Sequence, residues 1–213
     1  SVLIIIGLYV RLSISETPEF EANKKKNKTV AIPFMTVFKE HGKPLFLGTF
    51  IALATFVLFY LMTVFIASWA ITDLHITREL FLEYQIASVF FFALLIPISA
   101  LLADRYGRKL ILMAASAFII IFGLMLGYLL GSSDSVEILV TLSIGMALMG
   151  FTYGPLGTIL SELYPTNVRY TGSSLSFNLA GIVGASFAPF IALWLSSTYG
   201  VAYVGYYLAL AAV

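Results

Sequence analysis

Asp104-Arg105-Tyr106-Gly107-Arg108-Lys109 is a charged hexapeptide that separates two uncharged runs of the sequence. The run before it, Tyr84–Ala103, has 20 residues, and the run after it, Leu110–Ser133, has 24. About 20 apolar residues, each rising about 1.5 Å along a helix, are enough to cross the hydrocarbon core of a bilayer. The hexapeptide is therefore predicted to be a tight turn between two membrane-spanning helices, at one face of the membrane.

The composition of the whole chain also predicts a membrane protein. Of the 213 residues, 60% are hydrophobic and only 11% are charged, and the mean hydropathy is +0.98. Long uncharged runs are typical of spanning helices, whereas barrel strands alternate over short segments. We therefore expect an all-α membrane protein. A net charge of +1 argues against a nucleic-acid partner, and the absence of cysteine excludes disulfides and cysteine metal sites. We expect no cofactor.

Six uncharged runs set the number of spans. They are Ser1–Val10, Pro44–Thr72, Tyr84–Ala103, Leu110–Ser133, Ile138–Ser161 and Tyr170–Val213. The last run is too long for one crossing, and Ser196–Gly200 is the predicted turn within it. This division gives five complete spans with a partial span at each end. The simplest interpretation is a piece of a longer chain that is cut within a helix at both ends.

The basic residues predict which connections share a side of the membrane. Eleven of the 12 Lys and Arg residues fall in the first, third and fifth connections between spans, and only Arg78 falls in another. Cytoplasmic loops carry the excess of positive charge, so these three connections are predicted to be cytoplasmic. We expect the protein in a bacterial inner membrane, with the loop of residues 11–43 in the cytoplasm.

That central loop is predicted to contain two short surface helices. Thr17 and Pro18 are typical of a helix start, although a solvated basic linker is an equal alternative for this first helix. Pro33, Phe34, Val37 and Phe38 recur at helical spacing. We expect the second helix to place its apolar edge against lipid or protein, with Gly42 as its stop.

Acidic residues end two of the spans that run towards the cytoplasm. Asp104 and Glu162 each lie at a predicted helix C-terminus, where the negative pole of the helix dipole opposes an anion unless cations are near. Both are followed by arginine, at Arg105 and Arg108 in one turn and at Arg169 in the other. The repeated layout favours a cytoplasmic ion-pair network. The alternative is ordinary positive-inside anchoring with solvated carboxylates.

Polar side chains within the spans are candidates for a substrate cavity. Four are predicted for that role: Tyr60, Gln85, Tyr153 and Asn178. A packing role for the tyrosines and an interhelical hydrogen bond for Asn178 are the alternatives. Other tyrosines, including Tyr164, are predicted to lie in an aromatic belt at the membrane interface.

Several of these motifs resemble known sequences. Ala100-x-x-x-Asp104-Arg105-x-Gly107-Arg108-Lys109 resembles the loop signature G-x-x-x-D-R-x-G-R-R/K of the major facilitator superfamily, with Ala100 in place of the first glycine. The stretches Glu16–Phe20, Tyr60–Phe65 and Glu162–Gly172 resemble the metabolite:proton symporter family, whose members transport shikimate, α-ketoglutarate, citrate, proline or betaine. The resemblance covers nearly the whole chain.

The resemblance implies a fold of twelve spans in two halves of six. Residues 1–10 would end span 6, residues 11–43 would form the central cytoplasmic loop, and residues 44–213 would form spans 7 to 12, the last one truncated. It also implies a cytoplasmic latch, which here means the set Asp104, Arg105, Gly107, Arg108, Lys109, Glu162 and Arg169.

The implied function is secondary active transport of a small organic acid or zwitterionic metabolite by alternating access, with proton symport. The expected partners are the substrate, protons, the lipid bilayer and the N-terminal half of the same transporter. Because no ionisable residue lies deep in a span, a proton-coupling carboxylate is expected in that other half.

The sequence also bears on two other functional classes. A membrane-embedded enzyme is disfavoured, since the two histidines, His41 and His75, lie in connections and no nucleophile–base or metal spacing occurs. A sensor or scaffold that keeps a transporter fold without transport remains the alternative, because a fold does not determine a function.

Overall fold

The computed structural model describes Ile4, residues 6–9, 33–131 and 135–213, and it is almost entirely helical there. The helices are α1 (Pro33–Glu40), α2 (Gly42–Thr72), α3 (Arg78–Tyr106), α4 (Arg108–Leu129), α5 (Ser135–Glu162), α6 (Arg169–Tyr199) and α7 (Val201–Ala211). Residues 6–9 are also helical. The predicted first surface helix, at Thr17 and Pro18, lies outside the described residues.

Five helices, α2 to α6, are long and apolar enough to cross a membrane, and α7 is shorter. The prediction of an all-α membrane protein is confirmed. The length of a span is a local property of the sequence, because each crossing needs an unbroken apolar run. The second surface helix of the central loop is also present as α1.

The turns are much shorter than the sequence predicted. Only Gly107 separates α3 from α4, and only Gly200 separates α6 from α7. Their φ values are +96° and +97°, a region that glycine enters without a steric penalty. The predicted turns at Asp104–Lys109 and Ser196–Gly200 are confirmed in position but wrong in length, because one glycine reverses the chain and the flanking residues stay helical. Gly42 begins α2 instead of stopping α1, and the break is at His41.

The helices of the first half of the described bundle pair with those of the second half. The most extensive contacts join α3 to α5, α2 to α6 and α4 to α7. A shared core lies between them, and among its fully buried side chains are Phe65, Phe81, Ile119, Leu142 and Val204. The C-terminal ends of α3 and α5 and the N-terminal end of α4 are thereby held side by side.

A π-helical turn interrupts α2 at Leu61–Phe65. There the backbone N–H of Ile66 donates to the Leu61 carbonyl, five residues earlier. The Thr63 hydroxyl donates to the Phe59 carbonyl at 2.7 Å. Single π turns inside α-helices often occur at functional positions. No sequence pattern predicted this one.

Candidate functional site

The ends of three helices meet at Arg108, the first residue of α4. Its guanidinium donates a hydrogen bond to Oε1 of Glu162, the last residue of α5, and the two form an ion pair. Nη2 of the same guanidinium lies 3.6 Å from Oδ1 of Asp104 in the last turn of α3. One arginine therefore connects the ends of α3, α4 and α5.

Each member of this ion-pair triad, Asp104, Arg108 and Glu162, lies at the unfavourable end of its helix. The carboxylates are at helix C-termini and the guanidinium is at an N-terminus, so all three oppose the helix dipoles. Their mutual attraction offsets that disadvantage. The side chains are 36% exposed for Arg108, 55% for Glu162 and 70% for Asp104, so water screens each pair. Exposed pairs of this kind contribute about 0–1 kcal/mol each.

The other residues of the predicted latch lie nearby with different contacts. The Arg105 guanidinium lies 5.4 Å from the centre of the Tyr106 ring. Arg169 donates from Nε to the Tyr164 carbonyl at 3.4 Å, which ties the start of α6 to the preceding loop. Within the described residues, Arg105 and Lys109 form no ion pair. The structure thus brings together three of the seven predicted latch residues as an ion-pair triad.

Tyr164 is a buried anchor beside this triad, and the prediction that it lies in an interfacial belt is wrong. It is only 2% exposed, and its hydroxyl is hydrogen-bonded to Ser176 Oγ at 2.7 Å. The ring packs in a cluster with Val37 of α1 and Leu45 of α2. Burial raises the pKa of the Tyr164 phenol, and the hydrogen bond with Ser176 lowers it by less.

A glycine explains how the ring of Tyr164 fits against α6. A Cβ at Gly172 would overlap the Tyr164 ring, so only glycine admits the ring there. The sequence feature that corresponds to this contact is Gly172, eight residues after Tyr164. It could not have been used to predict the contact, because the path of the loop between them is not known from the sequence. As a result, the loop that follows Glu162 is fixed to α1, α2 and α6 together.

The four predicted cavity residues lie in different surroundings among the described residues. Tyr60 is partly buried against the main core, and the Gln85 carbonyl accepts a hydrogen bond from Ser88 Oγ at 2.8 Å. Asn178 is exposed, and its Nδ2 donates to the Ser174 carbonyl of its own helix at 2.7 Å. Within the described residues the Asn178 amide turns back along α6, and the interhelical hydrogen bond considered for it stays a prediction. Of the four, Tyr153 lines a recess of the described bundle.

That recess, called the aromatic recess here, has a volume of about 370 Å³ and opens between α3, α5 and α6. Its walls are Ile96, Tyr153, Gly154, Leu156, Gly157, Thr158 and Phe177. A second cleft, of about 580 Å³, lies between α2, α4, α6 and α7 and is mostly apolar.

No group of three or more acidic or histidine side chains that could hold a metal occurs in the described ranges.

Comparison of the sequence with known proteins identifies its family. The sequence model of the Major Facilitator Superfamily matches residues 1–189. The chain belongs to the Major Facilitator Superfamily. Its family and the relatives it matches are transporters and not enzymes. Membrane-length helices and an inner-membrane relative support an integral inner-membrane protein.

Several curated relatives are similar over nearly the whole chain. The inner membrane metabolite transport protein YhjE of Escherichia coli K12 is 45% identical over 214 residues, which cover 98% of this chain and 49% of that protein. A putative metabolite transport protein of Haemophilus influenzae is 39% identical over 98% of the chain and 50% of its own length.

More distant relatives have named substrates. The proline/betaine transporter of E. coli K12 is 25% identical over 98% of this chain and 44% of that protein, and the E. coli K12 shikimate transporter is 26% identical over 90% and 45%. The chain thus spans about half the length of the curated relatives it matches. No solved structure matches it significantly.

Proposed function

We propose that this chain is the C-terminal half of a secondary transporter that moves a small organic acid or zwitterion across the inner membrane. Alternating access, with two halves rocking about a central site, would carry the substrate, and proton symport would drive it. The similarity to metabolite, proline/betaine and shikimate transporters supports the substrate class. Five membrane-length helices support the fold that such a transporter needs.

The observation that carries this proposal is the ion pair between Arg108 and Glu162, with Asp104 beside it. We infer that it holds the cytoplasmic ends of α3, α4 and α5 together as one surface, which closes against the N-terminal half. The two exposed pairs contribute little to folding, at about 0–1 kcal/mol each, but they are enough to bias two conformations that differ by a few kcal/mol. The inward-closed state would keep the pairs, and the inward-open state would break them.

Removal of one charge from the triad tests the proposed latch. In the full-length transporter, Glu162→Gln or Arg108→Gln should lower uptake and raise the labelling of single cysteines placed in the cytoplasmic mouth, by up to about fivefold for a pair worth 1 kcal/mol. Asp104→Asn should do the same to a smaller extent, since its distance to Arg108 is 3.6 Å and it is more exposed.

Two controls separate a latch from a general loss of positive charge. Lys109→Gln removes a cation from the next residue, which has no ion pair in the described part of the chain, and should leave labelling unchanged. The charge exchange Arg108→Glu with Glu162→Arg should restore part of the uptake. Unchanged labelling and normal uptake in both Glu162→Gln and Arg108→Gln would reject the latch.

Vesicle uptake tests the transport activity itself. Labelled shikimate, proline and betaine are suitable substrates, because relatives are named for them. Uptake that a protonophore abolishes would support proton symport, and uptake that a protonophore leaves intact would contradict it. A protein that accumulates none of a broad set of organic acids and zwitterions would favour the sensor or scaffold alternative.

A further inference from the structure

The aromatic recess is built where α5 loses its regular backbone pattern. Pro155 lies inside the helix, and because proline has no N–H, the carbonyl four residues earlier loses its usual helical donor. Gly154 lets α3 approach closely, since a Cβ there would lie 2.5 Å from the Ile96 carbonyl oxygen. At Gly157, in contrast, a Cβ would meet nothing within 4 Å. The two glycines thus leave open space directly beside packed backbone.

Two aromatic rings, Tyr153 and Phe177, line this space, and two more, Phe92 and Phe56, pack against them. The Tyr153 ring of α5 lies 5.8 Å from Phe92 of α3 and 6.4 Å from Phe177 of α6, with interplanar angles of 61° and 72°. Phe177 in turn contacts Phe56 of α2 at 4.9 Å. Tyr153 and Phe177 line the recess, and Tyr153 is 39% exposed. The packed neighbours on one side hold both rings in position while leaving ring surface open on the other.

No ionisable side chain other than the Tyr153 phenol lines the recess. Aromatic faces carry negative quadrupole potential, and the hydroxyls of Tyr153 and Thr158 present lone pairs. Such walls attract weakly hydrated cations, and alkylated ammonium groups are cations of this kind. The same walls provide no positive charge that could bind a carboxylate. Its volume is at the small end of the range for ligand sites, which suits one small substituent or metabolite.

We propose that the aromatic recess is the subsite for the alkylated ammonium group of a zwitterionic substrate, with Tyr153 and Phe177 as the contacting rings. The substrate carboxylate would then be bound by groups outside this recess. The proposal rests on the proposed transport function and narrows its substrate class from organic acids and zwitterions to zwitterions with a cationic nitrogen.

A pair of matched probes tests the ammonium preference directly. Glycine betaine and 3,3-dimethylbutanoate have the same shape, but the second has a carbon atom in place of the positively charged nitrogen. Calorimetric titration of the full-length transporter in detergent should show that betaine binds about tenfold more tightly, as expected for a partly desolvated cation–π contact. Equal affinities would mean that the recess is merely apolar, and they would overturn the proposal.

Substitutions then test whether the preference for betaine over 3,3-dimethylbutanoate arises at Tyr153 and Phe177. Tyr153→Phe keeps the ring and should keep most of the betaine preference, whereas Tyr153→Leu and Phe177→Leu should reduce it to about twofold or less. Phe190→Leu is the matched control, because Phe190 is also on α6, is 75% exposed and lies outside the recess. A preference that survives both Leu substitutions would overturn the assignment. If a Leu variant does not fold, the wild-type probe comparison remains decisive.

The outcomes also separate this subsite from the proposed function. Failure of both probes to bind, together with retained uptake of shikimate, would refute the subsite and leave the transport proposal intact. Absence of any uptake would instead count against transport itself.

Discussion

At the scale of single residues, three buried threonines differ in whether their hydroxyls have partners. Thr55 donates to Thr152 at 3.0 Å, and Thr152 donates to the Met149 carbonyl at 2.8 Å. The Thr141 hydroxyl is fully buried and has no partner among the described residues. A buried hydroxyl without a hydrogen bond costs about 1–3 kcal/mol, so these positions should respond differently to the same change.

Replacement of each threonine by valine tests this difference. Thr141→Val should leave the free energy of unfolding unchanged or raise it by up to about 1 kcal/mol, because an unsatisfied hydroxyl is removed. Thr152→Val should lower it by about 1–2 kcal/mol, because the Thr55 hydroxyl then loses its acceptor. Thermal unfolding of the purified protein in detergent measures both. A loss at Thr141 as large as that at Thr152 would show that the Thr141 hydroxyl is bonded.

At the scale of helices, the contact between α4 and α7 is made backbone to backbone. A Cβ at Gly123 would lie 2.6 Å from the Gly205 carbonyl oxygen and 3.0 Å from the backbone nitrogen of Ala209. Neither atom belongs to a flexible side chain, so the two helices would have to separate. Glycine thus sets the distance between them, as small residues commonly do in membrane helix packing.

Gly123→Ala should therefore destabilise the protein by about 1–3 kcal/mol through overpacking. Gly42→Ala is the control, because a Cβ there meets nothing within 4 Å, and stability should be unchanged or slightly higher. Unfolding midpoints in the same detergent provide the comparison. Equal midpoints for the two variants would show that α4 and α7 are free to adjust.

At the scale of the whole bundle, the three most extensive helix contacts all cross the connection between α4 and α5. Neither half of the described bundle can bury its contact surfaces alone. A chain cut between Ser132 and Ser133 should therefore reassemble when its two pieces are produced together, since packing and not the connecting peptide joins them. A tag on one piece should recover the other from membranes in mild detergent.

Production of the pieces in separate cells, followed by mixing of the detergent extracts, is the control for association after extraction. Recovery of the tagged piece alone from cells that make both would show that the covalent connection is required for assembly. Equal recovery from mixed extracts would show only that the pieces associate outside the membrane.

The sequence predicted those features that depend on short stretches of chain. Spans followed from uncharged runs, and the acids at Asp104 and Glu162 were correctly placed at helix ends. The partner of Glu162 could not be chosen from the sequence, because Arg105, Arg108 and Arg169 were all near in the predicted topology. The packing of α3 and α4 against α5 brings Arg108 into contact with Glu162.

Features that depend on several helices at once were missed. The burial of Tyr164 depends on α1, α2 and α6 meeting around its ring, and the interface prediction considered only its position in the chain. The aromatic recess likewise combines side chains from α3, α5 and α6. Of its lining residues, Tyr153 alone was predicted. Thr158 also carries a hydroxyl within a span but was missed, and phenylalanine and glycine in a span do not indicate a cavity.

The π-helical turn at Leu61–Phe65 changes which residues of α2 face inward. A π turn holds one residue more than the helix around it, so everything after it is rotated by about 100° relative to an uninterrupted α-helix. Ile66, Trp69 and Ala70 are buried beyond the turn in this new phase. A single helical wheel drawn through the whole span would misplace the residues that follow the π turn. Two wheels, one on each side of Leu61–Phe65 and differing in phase by about 100°, describe α2 better.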